Sequence, residues 1–267
     1  MTRLLLPTLL SVALAAPGSV AHAETLQLGQ TGQFQVEVRG TIERDAKVYR
    51  SFTPPQAFLV NTAAFRRPVL ITTGPTSARL IDAARVVPDT ADPQIVRVDE
   101  SGPVQDTMTV RFEGPRLTVT RDGVSMTLVQ SPPLLGKQTA EQMLSTLPEY
   151  RRNASYYRPD RKAVDELKTL SQPAEVLVVF GSWCSHCEAV VPRLLRVLQD
   201  TGPTKLSVAF HGVPQSGDDP VADQLGITGL PTGIVRRDGK EIARMKESDW
   251  EAPETSLARI LRAPAAH

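Results

Sequence analysis

The segment Val176-Leu177-Val178-Val179-Phe180 constrains the fold more than any other stretch of this chain. Five consecutive apolar residues leave no side for water, so a strand built from them must be covered on both faces. It leads directly into Gly181-Ser182-Trp183 and then Cys184-Ser185-His186-Cys187, which holds the only two cysteines among 267 residues. A Cys-x-x-Cys delivered by a buried strand to the start of a helix suits redox exchange, metal binding or a structural staple. The free N–H groups and dipole of a helix N-terminus stabilise a thiolate, which favours the first.

Around this segment helices and strands alternate. Asp160 can cap a helix reaching about residue 170, with Ala163, Val164, Leu167 and Leu170 on one face. Residues 184–199 read as a helix with Val190, Val191, Leu194, Leu195 and Leu198 facing inward. Residues 206–210 read as a strand, 232–236 and 241–245 as a hairpin around Arg237-Asp238-Gly239-Lys240, and 255–262 as a closing helix. The pattern over 160–267 predicts an α/β layer fold, with helices covering a small mixed sheet.

Residues 24–131 follow a different pattern. Phe34-Gln35-Val36-Glu37-Val38, Ile95-Val96-Arg97-Val98 and Met108-Thr109-Val110-Arg111-Phe112 alternate with period two. Residues 117–120 and 124–129 flank Arg121-Asp122-Gly123 as a hairpin. Short strands with Gly and Pro turns predict a separate all-β domain, a sandwich or a barrel. Residues 132–159 read as a linker with a short helix. Ser131-Pro132-Pro133 breaks the strand pattern, and Thr139-x-x-Gln142 is a capping-box signature for a helix ending before Pro148. The basic stretch 151–161, with Tyr150, Tyr156 and Tyr157, is expected to be solvated, an interdomain surface being the alternative.

Residues 1–23 have the form of an export signal. Arg3 precedes an apolar stretch over 4–16, interrupted only by Pro7, Thr8 and Ser11, and Ala21-His22-Ala23 fits a small-x-small cleavage site. The apolar stretch is short for a bilayer span, so stable membrane insertion is not expected; an uncleaved anchor is the alternative. No cysteine lies near the cut, which excludes a lipid-modified cysteine. The expected location is periplasmic or secreted, where disulfides persist. Loss of Arg3 with this segment leaves 29 basic against 29 acidic residues. That balance gives no electrostatic basis for binding nucleic acid.

Three features together resemble the thioredoxin superfamily over about residues 160–262. They are the strand–Trp-Cys-x-x-Cys–helix segment 176–198, Pro192 five residues after the second cysteine, and Gly226-Ile227-Thr228-Gly229-Leu230-Pro231-Thr232. The last is similar to the segment that carries the family's cis-proline. The resemblance does not reach residues 24–150. It implies a thiol–disulfide oxidoreductase acting on protein thiols and disulfides, recharged by a redox partner protein. The redox group would be the Cys184–Cys187 disulfide itself, with no further cofactor and no metal.

Cys184 opens the helix, so it is the expected nucleophile. Cys187, one turn inward, is expected to resolve the mixed disulfide by attacking the Cys184 sulfur. His186 adds charge when protonated and can donate a hydrogen bond to the thiolate, stabilising the reduced form and making the protein more oxidising. Trp183 and Ser185, on either side of Cys184, join it as modulating residues. A histidine before the second cysteine resembles the periplasmic disulfide-oxidase branch. Related sites span about −270 to about −120 mV, and this one is expected in the oxidising half. By resemblance, Pro231 is cis and opposite the cysteines, leaving the Leu230 backbone free to pair with an extended substrate.

One departure stands out. The family often carries a buried acid six residues before the first cysteine, and Val178 is there. A water or Glu188 can substitute, although Glu188 is expected to be a solvated helix residue. Rival readings remain. Copper(I) can bind two thiolates, whereas zinc wants four ligands and only Cys184, Cys187 and His186 or His211 are at hand. His211 is expected in a loop. The β domain is expected to bind a partner or to dimerise, and the whole chain can then serve as an adaptor or chaperone. The direction of electron flow stays open.

Overall fold

Residues 25–54, 56–101 and 106–262 are described in the structure, a computed structural model; the expected export segment 1–23 and its cleavage site lie outside them. The first strands are β1 (Thr25–Gln30), β2 (Phe34–Val38), β3 (Thr41–Ile42), β4 (Lys47–Ser51), β5 (Ala57–Asn61) and β6 (Val69–Thr73). They are followed by β7 (Thr76–Leu80), β8 (Val86–Pro88), β9 (Ile95–Asp99), β10 (Thr107–Glu113), β11 (Arg116–Arg121) and β12 (Val124–Gln130). These twelve form one antiparallel sheet in the order β3-β2-β12-β11-β10-β7-β6-β5-β4-β1-β9-β8.

The sheet turns at β10, whose start pairs with β7 and whose remainder pairs with β11. One core joins Val48, Phe58, Val60, Val69 and Ile71 to Val36, Leu117, Val119, Met126 and Leu128. A second joins Tyr49, Leu59 and Leu70 to Leu28, Val96 and Val98. Alternate residues of β4, β5 and β6 thus enter opposite cores, because successive strand side chains point to opposite faces. The result is sandwich-like packing from one continuous sheet. Two-residue hairpins occur at Arg39-Gly40 and Asp122-Gly123, where all four residues have positive φ, as the tight mirror-image turn requires.

The second sheet contains β13 (Gly136–Gln138), β14 (Ala174–Phe180), β15 (Leu206–Gly212), β16 (Thr232–Arg237) and β17 (Lys240–Met245), ordered β13-β15-β14-β16-β17. Only β14 and β15 run parallel; the other pairs are antiparallel. The helices are α1 (Ala140–Thr146), α2 (Pro148–Tyr156), α3 (Arg161–Lys168), α4 (Ser185–Thr201), α5 (Pro220–Gln224) and α6 (Pro253–Arg262). The central strand β14 is buried over Val178, Val179 and Phe180, as its unbroken apolar sequence demands. Asp160 caps α3 by accepting from the Ala163 N–H at 2.8 Å, and Thr139 and Gln142 form the capping box of α1. Among the described residues no helix is long and apolar enough to cross a membrane.

The region expected to be a linker is folded. Residues 136–138 add an edge strand, and α2 lies between the two sheets with Glu149, Tyr150, Arg152 and Ala154 buried. The Glu149 carboxylate accepts from the Gly32 N–H at 2.8 Å, and Arg152 Nη1 donates to the Gln30 carbonyl at 2.7 Å. Within 151–161 Arg151, Tyr156 and Arg158 are exposed as expected, while Arg152 and Ala154 are buried by partners that the local sequence does not show. The partners of Glu149 and Arg152 lie more than a hundred residues away, at the end of β1 and on the turn that follows it.

Candidate active site

The site is built at the C-terminal end of β14. Gly181 and Ser182 turn the chain so that Cys184 becomes the N-cap of α4, with φ −84° and ψ 119°. A Cβ on Gly181 would sit 2.7 Å from the Trp183 ring, so glycine is what lets the indole fold back over the turn. Trp183 Nε1 donates to the Val213 carbonyl at 2.9 Å, and Ser182 Oγ accepts from the Leu134 N–H at 2.9 Å. These two bonds tie the turn to both of its flanks.

The Cys184 sulfur accepts from the Cys187 N–H at 3.3 Å. It occupies the place of an N-cap oxygen, facing the unpaired N–H groups of the first helical turn. Cys184 is half-buried, Cys187 is fully buried, and both are free thiols. The Cys184 thiol is lowered to about 6, chiefly by a second hydrogen bond, from the Cys187 thiol, and further by the backbone N–H groups of Cys187 and His186 and the His186 charge, while partial burial opposes the shift. The Cys187 thiol is pushed up far above the ordinary cysteine range by that same hydrogen bond and by burial. One thiol is shifted down and its neighbour up, so the two sulfurs differ in how readily they ionise.

Ser185 and His186 are exposed on the first turn of α4. Opposite His186 stands the loop before β16. Thr232 pairs with Val179, so the preceding Pro231 falls beside the end of β14 where the cysteine turn begins. The Leu230–Pro231 bond is cis, and Thr232 Oγ1 donates to the Gly229 carbonyl at 2.7 Å. His186 and Thr228–Thr232 line one open groove of about 370 Å³ together with Lys246 and Glu247. Pro192 lies inside α4.

Two sequence expectations need correction. Glu188 is not solvated. It is buried next to Cys187 and accepts from Arg50 Nη2 at 3.0 and 3.1 Å and from Gln33 Nε2 at 2.6 Å. Its partners belong to β4 and the β1–β2 turn, so nothing near residue 188 in the sequence marked it. His211 is in β15 rather than a loop, and its Nε2 is 3.0 Å from the Asp219 carboxylate. Val178, in contrast, is in the core as its sequence neighbours required. Tyr150, which no motif singled out, belongs to the same buried cluster as Cys187 and Phe180.

A family model described as Thioredoxin matches residues 164–263. Thioredoxin AMT13 of Alternaria alternata is 30% identical over 120 residues, covering 40% of this chain and 96% of that protein. A thioredoxin-like protein of Fusarium culmorum is 33% identical over 82 residues, covering 30% of this chain and 66% of that protein. The chain belongs to the thioredoxin family through this C-terminal α/β unit, and the β domain lies outside the matched region. Membership makes it a redox protein of the oxidoreductase class, and proteins of this family act on protein thiols.

Proposed function

We propose that this is an exported thiol–disulfide oxidoreductase whose redox group is the Cys184/Cys187 pair and which needs no other cofactor. The Cys184 thiolate attacks a substrate disulfide, forming a Cys184–substrate disulfide and releasing the other substrate sulfur as thiolate. Cys187 then attacks Cys184 Sγ, the intramolecular disulfide forms and the second substrate sulfur leaves. Two electrons have passed from the protein to the substrate; run backwards, the oxidised pair takes two electrons from a substrate dithiol. The observation that carries this reading is the Cys184 sulfur at the helix N-cap, its thiol lowered to about 6.

A stabilised thiolate favours the reduced pair, which makes the oxidised pair an oxidant and favours disulfide donation to exported proteins. His186 supports this direction, because its charge acts on the Cys184 thiolate. A redox partner protein recharges the pair, and an extended client segment pairs with the Leu230 backbone beside Pro231, with Trp183 and Ser185 framing the sulfur. The export signal in residues 1–23 supports a periplasmic or secreted location, and the β domain serves to bind a partner. Cys184→Ser is expected to abolish exchange with a model disulfide. Cys187→Ser is expected to accumulate mixed disulfides through Cys184, whose partners mass spectrometry can name. Full activity in Cys184→Ser would refute the proposal.

A further inference from the structure

Cys187 has to lose its proton inside the core before it attacks, and the strand position from which an acid would serve it holds fully buried Val178. We propose that the Tyr150 hydroxyl assists in a different way, donating a hydrogen bond to the Cys187 sulfur as the thiol ionises and so holding the thiolate for attack on Cys184. This rests on the thiol–disulfide reading above and extends it to a residue outside the family-matched segment.

Three observations converge on Tyr150. Its side chain is fully buried in the cluster that contains Cys187, with its ring 6.4 Å from that of Phe180, the last residue of β14. Its hydroxyl is buried and makes no hydrogen bond to any described residue, the neutral Cys187 thiol included, so it is free to donate when that sulfur becomes charged. An unpaired hydroxyl in a dry core is a cost that native proteins seldom carry without a use. Burial, and then the charge of Cys187, Glu149, Cys184 and Glu188, holds the phenol protonated well above the ordinary tyrosine range. A phenol that stays neutral is a donor and not a base, and a donor is what a forming thiolate in an apolar pocket needs.

The helix holds Tyr150 from both sides. Glu149 and Arg152 fasten α2 to the β domain, and Asn153 Nδ2 donates to the Glu188 carbonyl of α4 at 2.9 Å. In the step itself the Cys187 proton passes to solvent, and the electron pair on sulfur forms the bond to Cys184 Sγ. The bond from Cys184 to substrate breaks, and its electrons leave with the substrate sulfur. Tyr150 keeps its proton throughout.

Tyr150→Phe keeps the ring and removes only the hydroxyl. Reduced full-length protein mixed with the aromatic disulfide dithiobis(nitrobenzoate) releases one thionitrobenzoate on attack by Cys184 and a second on resolution by Cys187. In Tyr150→Phe the first release is expected unchanged. The second is expected about tenfold slower or more at neutral pH, its pH profile moved to higher pH, as loss of a hydrogen bond to a charged group predicts. The melting temperature is expected unchanged or raised. An unchanged second release overturns the proposal, and so does a variant that fails to fold, since that would give the hydroxyl a structural partner. If the wild type shows no second release, the cysteine-pair reading itself falls, whatever Tyr150 does.

Discussion

The thioredoxin unit and the β domain use sequence in opposite ways. The redox turn is local: strand β14, the Gly181–Trp183 turn, the sulfur cap and α4 follow one another within 28 residues of chain, from Ala174 to Thr201. The β domain reaches the same site from far away. Arg50 and Gln33 close on Glu188 across separations of 138 and 155 residues, beside the buried cysteine. The difference teaches that a short motif places the two cysteines, while the surroundings of the second sulfur depend on how two units dock.

Separating the units breaks this comparison with the largest effect. Arg50→Ala leaves Glu188, 11% exposed in its side chain, without its ion-pair partner. The expected cost is about 2–3 kcal/mol in urea unfolding, since stranding a mostly buried charge approaches the penalty seen for fully buried pairs. The double variant Arg50→Ala/Glu188→Ala is expected to recover part of that loss, the mark of a coupled pair. Additive losses, each below about 0.5 kcal/mol, would show that the β domain is tethered rather than docked.

A smaller effect probes the local side. Gly181→Ala places a methyl 2.7 Å from the Trp183 ring. The indole must shift and strain its bond to the Val213 carbonyl, at an expected cost of about 1–3 kcal/mol for overpacking. Thermal unfolding together with the tryptophan emission maximum checks both parts. An unchanged spectrum would mean that the turn does not depend on the ring packing across it.

What the sequence revealed follows the same divide. The unbroken apolar run of β14, the Asp160 cap, the Thr139/Gln142 capping box and the Asp122-Gly123 and Asp238-Gly239 hairpins were legible, because each is decided by neighbours in the chain. Strands β4, β5 and β6 were not anticipated. Each buries both of its faces between two cores, so the period-two alternation that marks a half-exposed strand is absent from Ala57-Phe58-Leu59-Val60. Glu188 and Tyr150 were illegible for a related reason. A glutamate after a cysteine and a tyrosine in a basic stretch look solvated until a distant segment covers them. The same holds for α2, whose two buried faces belong to different units.

The central claim is that the Cys187 thiol and the helix N-cap together make Cys184 an ionised nucleophile while Cys187 stays protonated. Because the folded Cys184 thiol lies below its ordinary value of 9.0, the native reduced state gains stability that is complete above pH 9 and is lost as pH falls through about 6. The most direct measurement is the pH dependence of iodoacetamide alkylation of the reduced protein, with the modified residue identified by mass spectrometry. The account predicts modification at Cys184 alone, at a rate that rises to half its maximum near pH 6. A half-maximum near pH 9, or prior modification of Cys187, would contradict it.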